Sequence, residues 1–410
     1  MAILMVSNGH GEDVIAACIA EQLRSLSNAP QIAALPLVGE GHAYKNCDIP
    51  IIGYVQKMPS GGFNQNPKYL LKDVAGGLVK LTFCQYKNIR QWGKNGGKIL
   101  AVGDLVPLFL AWLSGTDYGF VGTAKSEYYL RDEKDWLPQT SWLARRFGSV
   151  YFPWECWLMS HPRCQSVFPR DSLTAQILEQ WPIRVFNLGN PMMDGFESSS
   201  TVNLNLKHNS LTIVLLPGSR SPEAQQNWEI ILEAIKEIIK ENPKNTFTFL
   251  GAISPDLDID SFIQHLRCKG WLAQPTITSK FPLNVPNGLV FNQHHTTLIL
   301  SQYSYKNCLQ TADIAIAMAG TATEQFVGLG KPVITIPGNG PQFTLNFAKR
   351  QTYLLGESVI LVDHPREVST VINSLTKNPQ KLQNIADNGR KRLGKSGSAK
   401  RIAQYLKEYF

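Results

Sequence analysis

With 410 residues, 43% of them hydrophobic and 18% charged, and a net charge of +8, the chain is too long for one ordinary domain and has the composition of a globular protein of two or three. Its seven cysteines (Cys18, Cys47, Cys84, Cys156, Cys164, Cys268, Cys308) are scattered, odd in number and without a CxxC pair, which argues against a disulfide framework or a zinc site and for a reducing compartment. The longest apolar stretch, Leu105–Leu113, is about half of what a transmembrane helix needs, and Met1–Ser7 reads as a core strand rather than a secretion signal. The expectation is a soluble, cytoplasmic protein, at most attached to the inner face of a membrane.

Ala2–Val6 reads as a buried strand, followed by an amphipathic helix from about Asp13 to Ser25. Between Ile51 and Leu100 stand Lys57, Lys68, Lys72, Lys80, Lys87, Arg90, Lys94 and Lys98 against Asp73 alone, interleaved with Phe63, Tyr69, Leu70, Leu71, Leu78, Val79, Leu81 and Phe83. Such a face either docks on anionic headgroups, each nearby cation contributing about 1 kcal/mol, or is a solvated helix packing on its own domain. No nucleic-acid-binding motif accompanies it. Ile32–Leu37, Ile99–Val102, Tyr118–Val121 and Val185–Leu188 are further strand candidates, and their alternation with helical segments indicates a parallel sheet covered on both faces.

The pattern then restarts. Residues 198–210 are polar and suit a linker; Leu211–Leu216 is strongly apolar and leads through a Pro-Gly-Ser turn to a long helix over Pro222–Glu241. Thr246–Gly251, Gly288–Phe291, Ile314–Met318 and Val333–Ile336 continue the strand series, and Pro379–Phe410 is helical and basic. The reading is an α/β protein with two Rossmann-like domains facing across a cleft. Residues 1–197 form the first domain, 198–210 the linker and 211–380 the second domain, and a helix over 381–410 returns towards the first. In such sheets ligands bind beyond the carboxyl ends of the strands.

The loops at those ends carry the candidate chemistry. After the first strand come Asn8, Gly9, His10 and Gly11, where glycines admit a ligand to the backbone; His10 is a substrate ligand or proton acceptor, or else a turn histidine capping the helix. Asp104, directly after Ile99–Val102, is placed as a general base for an acceptor hydroxyl, or as a cap. Gly218, Ser219 and Arg220 offer amides, a hydroxyl and a guanidinium suited to a diphosphate. Gly320 and Thr321 open a helix whose positive end attracts phosphate, with Glu324 one turn on, either holding ribose hydroxyls or completing a capping box with Thr321. Gln342, in the glycine-rich loop Pro337–Phe343, is placed to touch the donor sugar. His294-His295 lacks a metal partner at useful spacing, and Asp256-Leu257-Asp258 spells a DxD without the matching context, so no metal site and no cofactor are expected. Trp92, Trp154 and Trp157 read as core or interface aromatics.

Taken together these segments resemble the lipid-A-disaccharide synthases, inverting glycosyltransferases of the GT-B fold. Leu215–Arg220 is similar to that family's LPGSR turn, Ala319–Glu324 to its SGTAALE helix start, and Gly103–Pro107 to its GIDAPDF motif. Cys164–Asp194, with Phe168-Pro169 and Leu188–Asp194, looks like its LPFE…FIGHTMAD stretch. The first loop, with His10, is more like that of lipid II glucosaminyltransferase and galactolipid synthases, and the chain is similar to the cyanobacterial, synthase-related type. The resemblance implies a metal-independent hexosyltransferase with Asp104 as the catalytic carboxylate, Arg220 on the diphosphate, Glu324 on the ribose and UDP as the leaving nucleotide. The expected partners are a UDP-sugar donor and a lipid acceptor, with peripheral contact to an anionic membrane. Two other readings share the build: a UDP-N-acetylglucosamine 2-epimerase, and a non-catalytic nucleotide-sugar- or lipid-binding protein.

Overall fold

The computed structural model describes residues 2–9, 11–56, 74–196, 210–274, 285–286 and 288–410. His10, the linker up to residue 209 and the first part of the basic stretch, with Lys57, Lys68 and Lys72, therefore lie outside the described residues, while Ser210 of the expected linker begins a strand. The chain divides into two compact units, residues 1–195 with 395–410, and residues 196–394.

The first unit is built on five parallel strands, β1 (Ala2–Ser7), β2 (Gln31–Pro36), β3 (Lys98–Gly103), β4 (Tyr118–Gly122) and β5 (Cys164–Pro169), in the order β2-β1-β3-β4-β5. Side chains alternate across the sheet, so Ile3 and Met5 join one core with Ile19, Leu23, Ile402 and Leu406, while Leu4 and Val6 join the other with Ile89, Leu108 and Leu158. Burial on both faces is why these strands read as continuous apolar runs. The fifth strand is not the expected Val185–Leu188. There Ile183, Val185 and Leu188 each donate to the carbonyl two residues back (2.7, 3.1 and 3.0 Å), bending the segment so that it meets β5 only at Val185.

The expected single helix over 381–410 is two. Pro379–Leu393 ends at Gly394 (φ +76°), and after Gly397 (φ +83°) a second helix, Ser398–Tyr409, packs in the first unit. Asp194 receives the amides of Ser398 (2.9 Å) and Ala399 (2.6 Å), placing a carboxylate on the positive helix end.

The second unit holds β6 (Ser210–Leu216), β7 (Thr246–Ala252), β8 (Leu272–Ala273), β9 (Leu289–Gln293), β10 (Thr296–Ser301), β11 (Ile314–Ala317), β12 (Val333–Thr335) and β13 (Val359–Leu361), ordered β13-β12-β11-β6-β7-β10-β9-β8. Its sheet is mixed rather than wholly parallel: β9 runs antiparallel to β8 and β10. The reversal at β9–β10 is made by His294 (φ +53°) and His295, the two residues between Gln293 and Thr296. The helix Glu223–Glu241 buries Trp228, Ile231, Leu232, Ile235 and Ile238 at helical spacing, with the Trp228 ring edge-on to Phe262 at 5.6 Å. Among the described residues no helix is long and apolar enough to cross a membrane.

The strand order reverses between β1 and β3 in the first unit and between β6 and β11 in the second, where it turns again at β10 into the antiparallel edge. Loops diverge at such points and leave a crevice beyond the carboxyl ends of the strands.

Candidate functional site

In the second unit the chain leaves β6 through buried Pro217 into Gly218, whose φ of +104° favours glycine, and then exposes Ser219 and Arg220. Asn227 holds this turn to its neighbour: its Nδ2 donates to the carbonyls of Pro217 (2.9 Å) and Met318 (3.4 Å), tying the ends of β6 and β11 together. After β11 the chain passes Ala319 and Gly320 into the helix Thr321–Gly328. Thr323 Oγ1 donates to the Ala319 carbonyl (2.7 Å), and Gln351 Nε2 to those of Ala319 (3.0 Å) and Gly320 (3.3 Å), so the carbonyls here are engaged by the protein.

The N-cap is Gly320, which makes Thr321 the first helical residue; a capping box of Thr321 with Glu324 is not how this helix starts. Glu324 lies partly buried in the first turn. The third loop, before the helix Leu345–Leu355, is pinned by Glu223, whose buried carboxylate accepts from the amides of Gln342 (3.0 Å) and Phe343 (2.6 Å). A Cβ on Gly340 would come within 2.2 Å of that carboxylate, so a side chain there would displace Glu223. Gln342 itself is exposed at the loop surface. Lys331 is not part of this group. Burial lowers its ammonium to about 8, and it donates to the carbonyls of Leu309 (3.0 Å), Gln310 (2.6 Å) and Ala312 (2.6 Å).

In the first unit Gly9 (φ +108°) runs so close to Val38 that a Cβ would sit 2.5 Å from its carbonyl oxygen, and Asn8 lies against Gly103. Gly11 opens the helix Gly11–Arg24. Asp104 is the N-cap of Leu105–Leu113, its Oδ1 accepting from the Val106 amide at 2.9 Å. The capping role is therefore present, and it leaves the second oxygen for other chemistry.

Around Asp104 the structure gathers residues the sequence reading passed over. The Glu12 carboxyl is raised above its usual range by burial first and then by the Asp104 charge, with Thr123 Oγ1 donating to it at 3.4 Å. Arg170, buried and immediately after β5, donates to the Thr123 carbonyl at 2.8 Å, and its charge opposes that rise. Glu12, Asp104, Thr123 and Arg170 thus stand together at the carboxyl ends of β1, β3, β4 and β5. The signal for Arg170 was a charged residue directly after a strand, the same that picks out Asp104, but it is readable only once β5 is placed correctly.

Next to Glu12, Asp13 is buried and accepts from Ser7 Oγ at 2.6 Å, while Ser7 Oγ lies 2.6 Å from the Tyr44 hydroxyl. Burial, reinforced by the Glu12 charge, pushes Asp13 up to about 7. Among the described residues no three His, Cys, Asp or Glu side chains are grouped to hold a metal ion. Asp258 of the DxD caps the helix Ile259–Cys268 by accepting from the Asp260 amide at 3.1 Å. Trp154 and Trp157 are not core residues: they are 53% and 55% exposed.

No protein-family model and no curated protein matches the chain. Among solved structures it is similar to MnaA of S. aureus in a co-structure with UDP (13% identity, TM-score 0.56, covering 100% of this chain and 97% of that one). It is also similar to the UDP-GlcNAc 2-epimerase of Neisseria meningitidis bound to UDP-GlcNAc (17%, 0.54, 100% of each chain). A third similar structure is MurG of Acinetobacter baumannii (11%, 0.56, 99% of each chain). At these identities the likeness establishes the fold: the chain is an α/β protein of the GT-B fold, with two domains each built on a mainly parallel sheet.

Proposed function

We propose that this chain binds a UDP-sugar on its second unit and acts as an inverting, metal-independent glycosyltransferase that passes the sugar to a lipid or membrane-associated acceptor at the inner face of a membrane. The observation that carries the donor reading is the pair of loops at the β6–β11 crevice, held together by Asn227, with Arg220 exposed on one and a helix N-terminus on the other. Arg220 donates bidentate hydrogen bonds to the diphosphate, the amides near Ser219 and Gly320–Thr321 face its oxygens, and Glu324 accepts from the ribose hydroxyls. Gln342, on the loop fixed by Glu223, reaches the donor sugar.

In this reading the acceptor oxygen attacks the anomeric carbon as the bond to the diphosphate oxygen breaks, and UDP leaves with the bonding pair. Asp104, or His10, accepts the proton of the attacking hydroxyl. Burial and the Asp104 charge favour the protonated form of Glu12, and the Arg170 charge opposes them. Arg220 and the helix dipole stabilise the negative charge growing on the departing diphosphate. Asn8, Gly9 and Gly11 line the acceptor side. The four motifs shared with the lipid-A-disaccharide synthases support transfer.

The Neisseria enzyme supports a second reading, a UDP-N-acetylglucosamine 2-epimerase, in which Glu12 and Asp104 serve as the acid–base pair. Incubation with UDP-N-acetylglucosamine in deuterated water without acceptor separates the two. A transferase leaves the donor's C2 proton in place and releases UDP only when a lipid extract is added, whereas an epimerase returns the C2 epimer carrying deuterium. UDP binding with neither product is the mark of a non-catalytic binding protein. Arg220→Ala is expected to weaken UDP binding by about 10- to 100-fold by calorimetry. Unchanged affinity would sink the donor reading.

A further inference from the structure

We propose that the first unit docks on an anionic lipid surface through an outer aromatic face formed by the helices Leu105–Leu113, Trp142–Phe147 and Pro153–Ser160, an inference independent of the donor reading. Phe109 (44% exposed), Trp142 (72%), Leu143 (51%), Phe152 (41%), Trp154 (53%) and Trp157 (55%) all present large apolar side chains to solvent here. Four of them fall into two ring-to-ring series, Phe109 with Trp157 through Trp112, and Phe152 with Trp154. Phe109 stacks on Trp112 at 5.7 Å and Trp112 meets Trp157 edge-on at 5.5 Å, while Phe152 stacks on Trp154 at 4.6 Å and meets Phe147 at 6.0 Å. Trp154 and Trp157, three apart on one helix, share a face. The helix Trp142–Phe147 has no buried residue at all, so packing of the core does not account for its tryptophan and leucine. Contiguous exposed apolar surface of this kind marks an interaction site, and tryptophan favours the bilayer–water boundary.

Charge selects the occupant. Helix Leu105–Leu113 packs between Pro153–Ser160 and the helix Leu78–Lys94, which exposes Lys80, Lys87, Arg90 and Lys94, and Trp142–Phe147 exposes Arg145 and Arg146. Within these four helices the one acid is Glu155, buried and paired with Lys125. The acids of the loop before Trp142 are engaged locally: Asp132 accepts from the amides of Lys134 and Asp135, Asp135 from that of Trp136, and Glu133 from the Tyr128 hydroxyl. A second copy of the same face would set these cations against each other in a two-fold contact. An aromatic face rimmed by cations instead matches headgroups that carry phosphate and acyl chains beneath them. The face reaches the carboxyl end of the sheet, where Lys125, just beyond β4, lies 4.7 Å over the Phe152 ring.

Flotation of the full chain with vesicles of phosphatidylcholine, with and without phosphatidylglycerol, tests this. Binding is expected on the anionic vesicles and is weakened by salt. Trp154→Ser with Trp157→Ser lowers partitioning at least about tenfold, and Arg145→Gln with Arg146→Gln about 30-fold. Far-UV circular dichroism and thermal unfolding of the same samples stay at the wild-type values and report that the variants fold; absence of UDP binding in every sample, wild type included, would count against the donor reading and not against docking. Wild-type protein that ignores anionic vesicles, or variants that bind as the wild type does, overturns the proposal. So does a concentration-dependent dimer that the tryptophan substitutions dissolve, with no vesicle binding.

Discussion

Asp104→Asn is expected to lower turnover by about 10²- to 10⁴-fold, the usual contribution of a positioned general base, while leaving UDP affinity unchanged. The substitution keeps the fold, because an amide oxygen at this position still accepts from the Val106 amide and caps Leu105–Leu113. What it removes is the capacity to take a proton. It also removes the charge that helps hold Glu12 protonated, so Glu12 titrates lower and the pH profile of the residual activity moves towards acid. Steady-state turnover against pH, measured beside UDP calorimetry, reads both effects. Turnover equal to wild type would pass the base role from Asp104 to His10.

The second large effect concerns stability. Asp13 has an ordinary value of 3.8 and stands at about 7 in the fold, because burial outweighs the hydrogen bond from Ser7. The folded state therefore holds this proton more tightly than the unfolded chain does. The contribution is fully present below about pH 4 and is lost as pH rises through about 7. Above that, ionised Asp13 sits in a site that disfavours its charge, at a cost on the order of a few kcal/mol. Tyr44, fully buried and itself raised by burial, keeps its hydroxyl proton, so the chain of donors runs from Tyr44 to Ser7 to Asp13. Asp13→Asn preserves the acceptor for Ser7 and removes the titration. Thermal unfolding should then show wild-type Tm falling between pH 5 and 8, and a variant that is flat over this range and melts higher at pH 8. The difference scales at about 2–4 °C per kcal/mol for units of this size. Equal melting at pH 8, or a wild-type curve without slope, would show that Asp13 ionises freely in the folded chain.

Legibility in the sequence followed the physics of burial. β1, β3, β6, β7 and β11 are covered on both faces and read as apolar runs within a residue or two of their ends. β5 escaped because Cys164, Gln165 and Ser166 dilute its apolar character, while Val185–Leu188 looks more strand-like yet turns the amides of Val185 and Leu188 to local carbonyls and gives that of Phe186 to β5. β13 is three residues long, too short for a pattern, and β10 follows directly on a two-residue reversal. Among functional candidates, the loops around Gly218 and Gly320 were visible because a glycine stands within three residues of the end of a buried strand. Glu12 and Arg170 were not, since their proximity depends on strand order. Asn227 and Glu223 look like ordinary helix residues until their carbonyl and amide partners are known.

The central claim, a nucleotide diphosphate held at the β6–β11 crevice, is tested most directly by amide hydrogen exchange of the full chain with and without UDP. Slowed exchange is predicted at Ser219–Arg220 and at Gly320–Glu324, with Gly11–Arg24 unchanged. Saturating UDP that leaves both segments exchanging as in the free protein would contradict it.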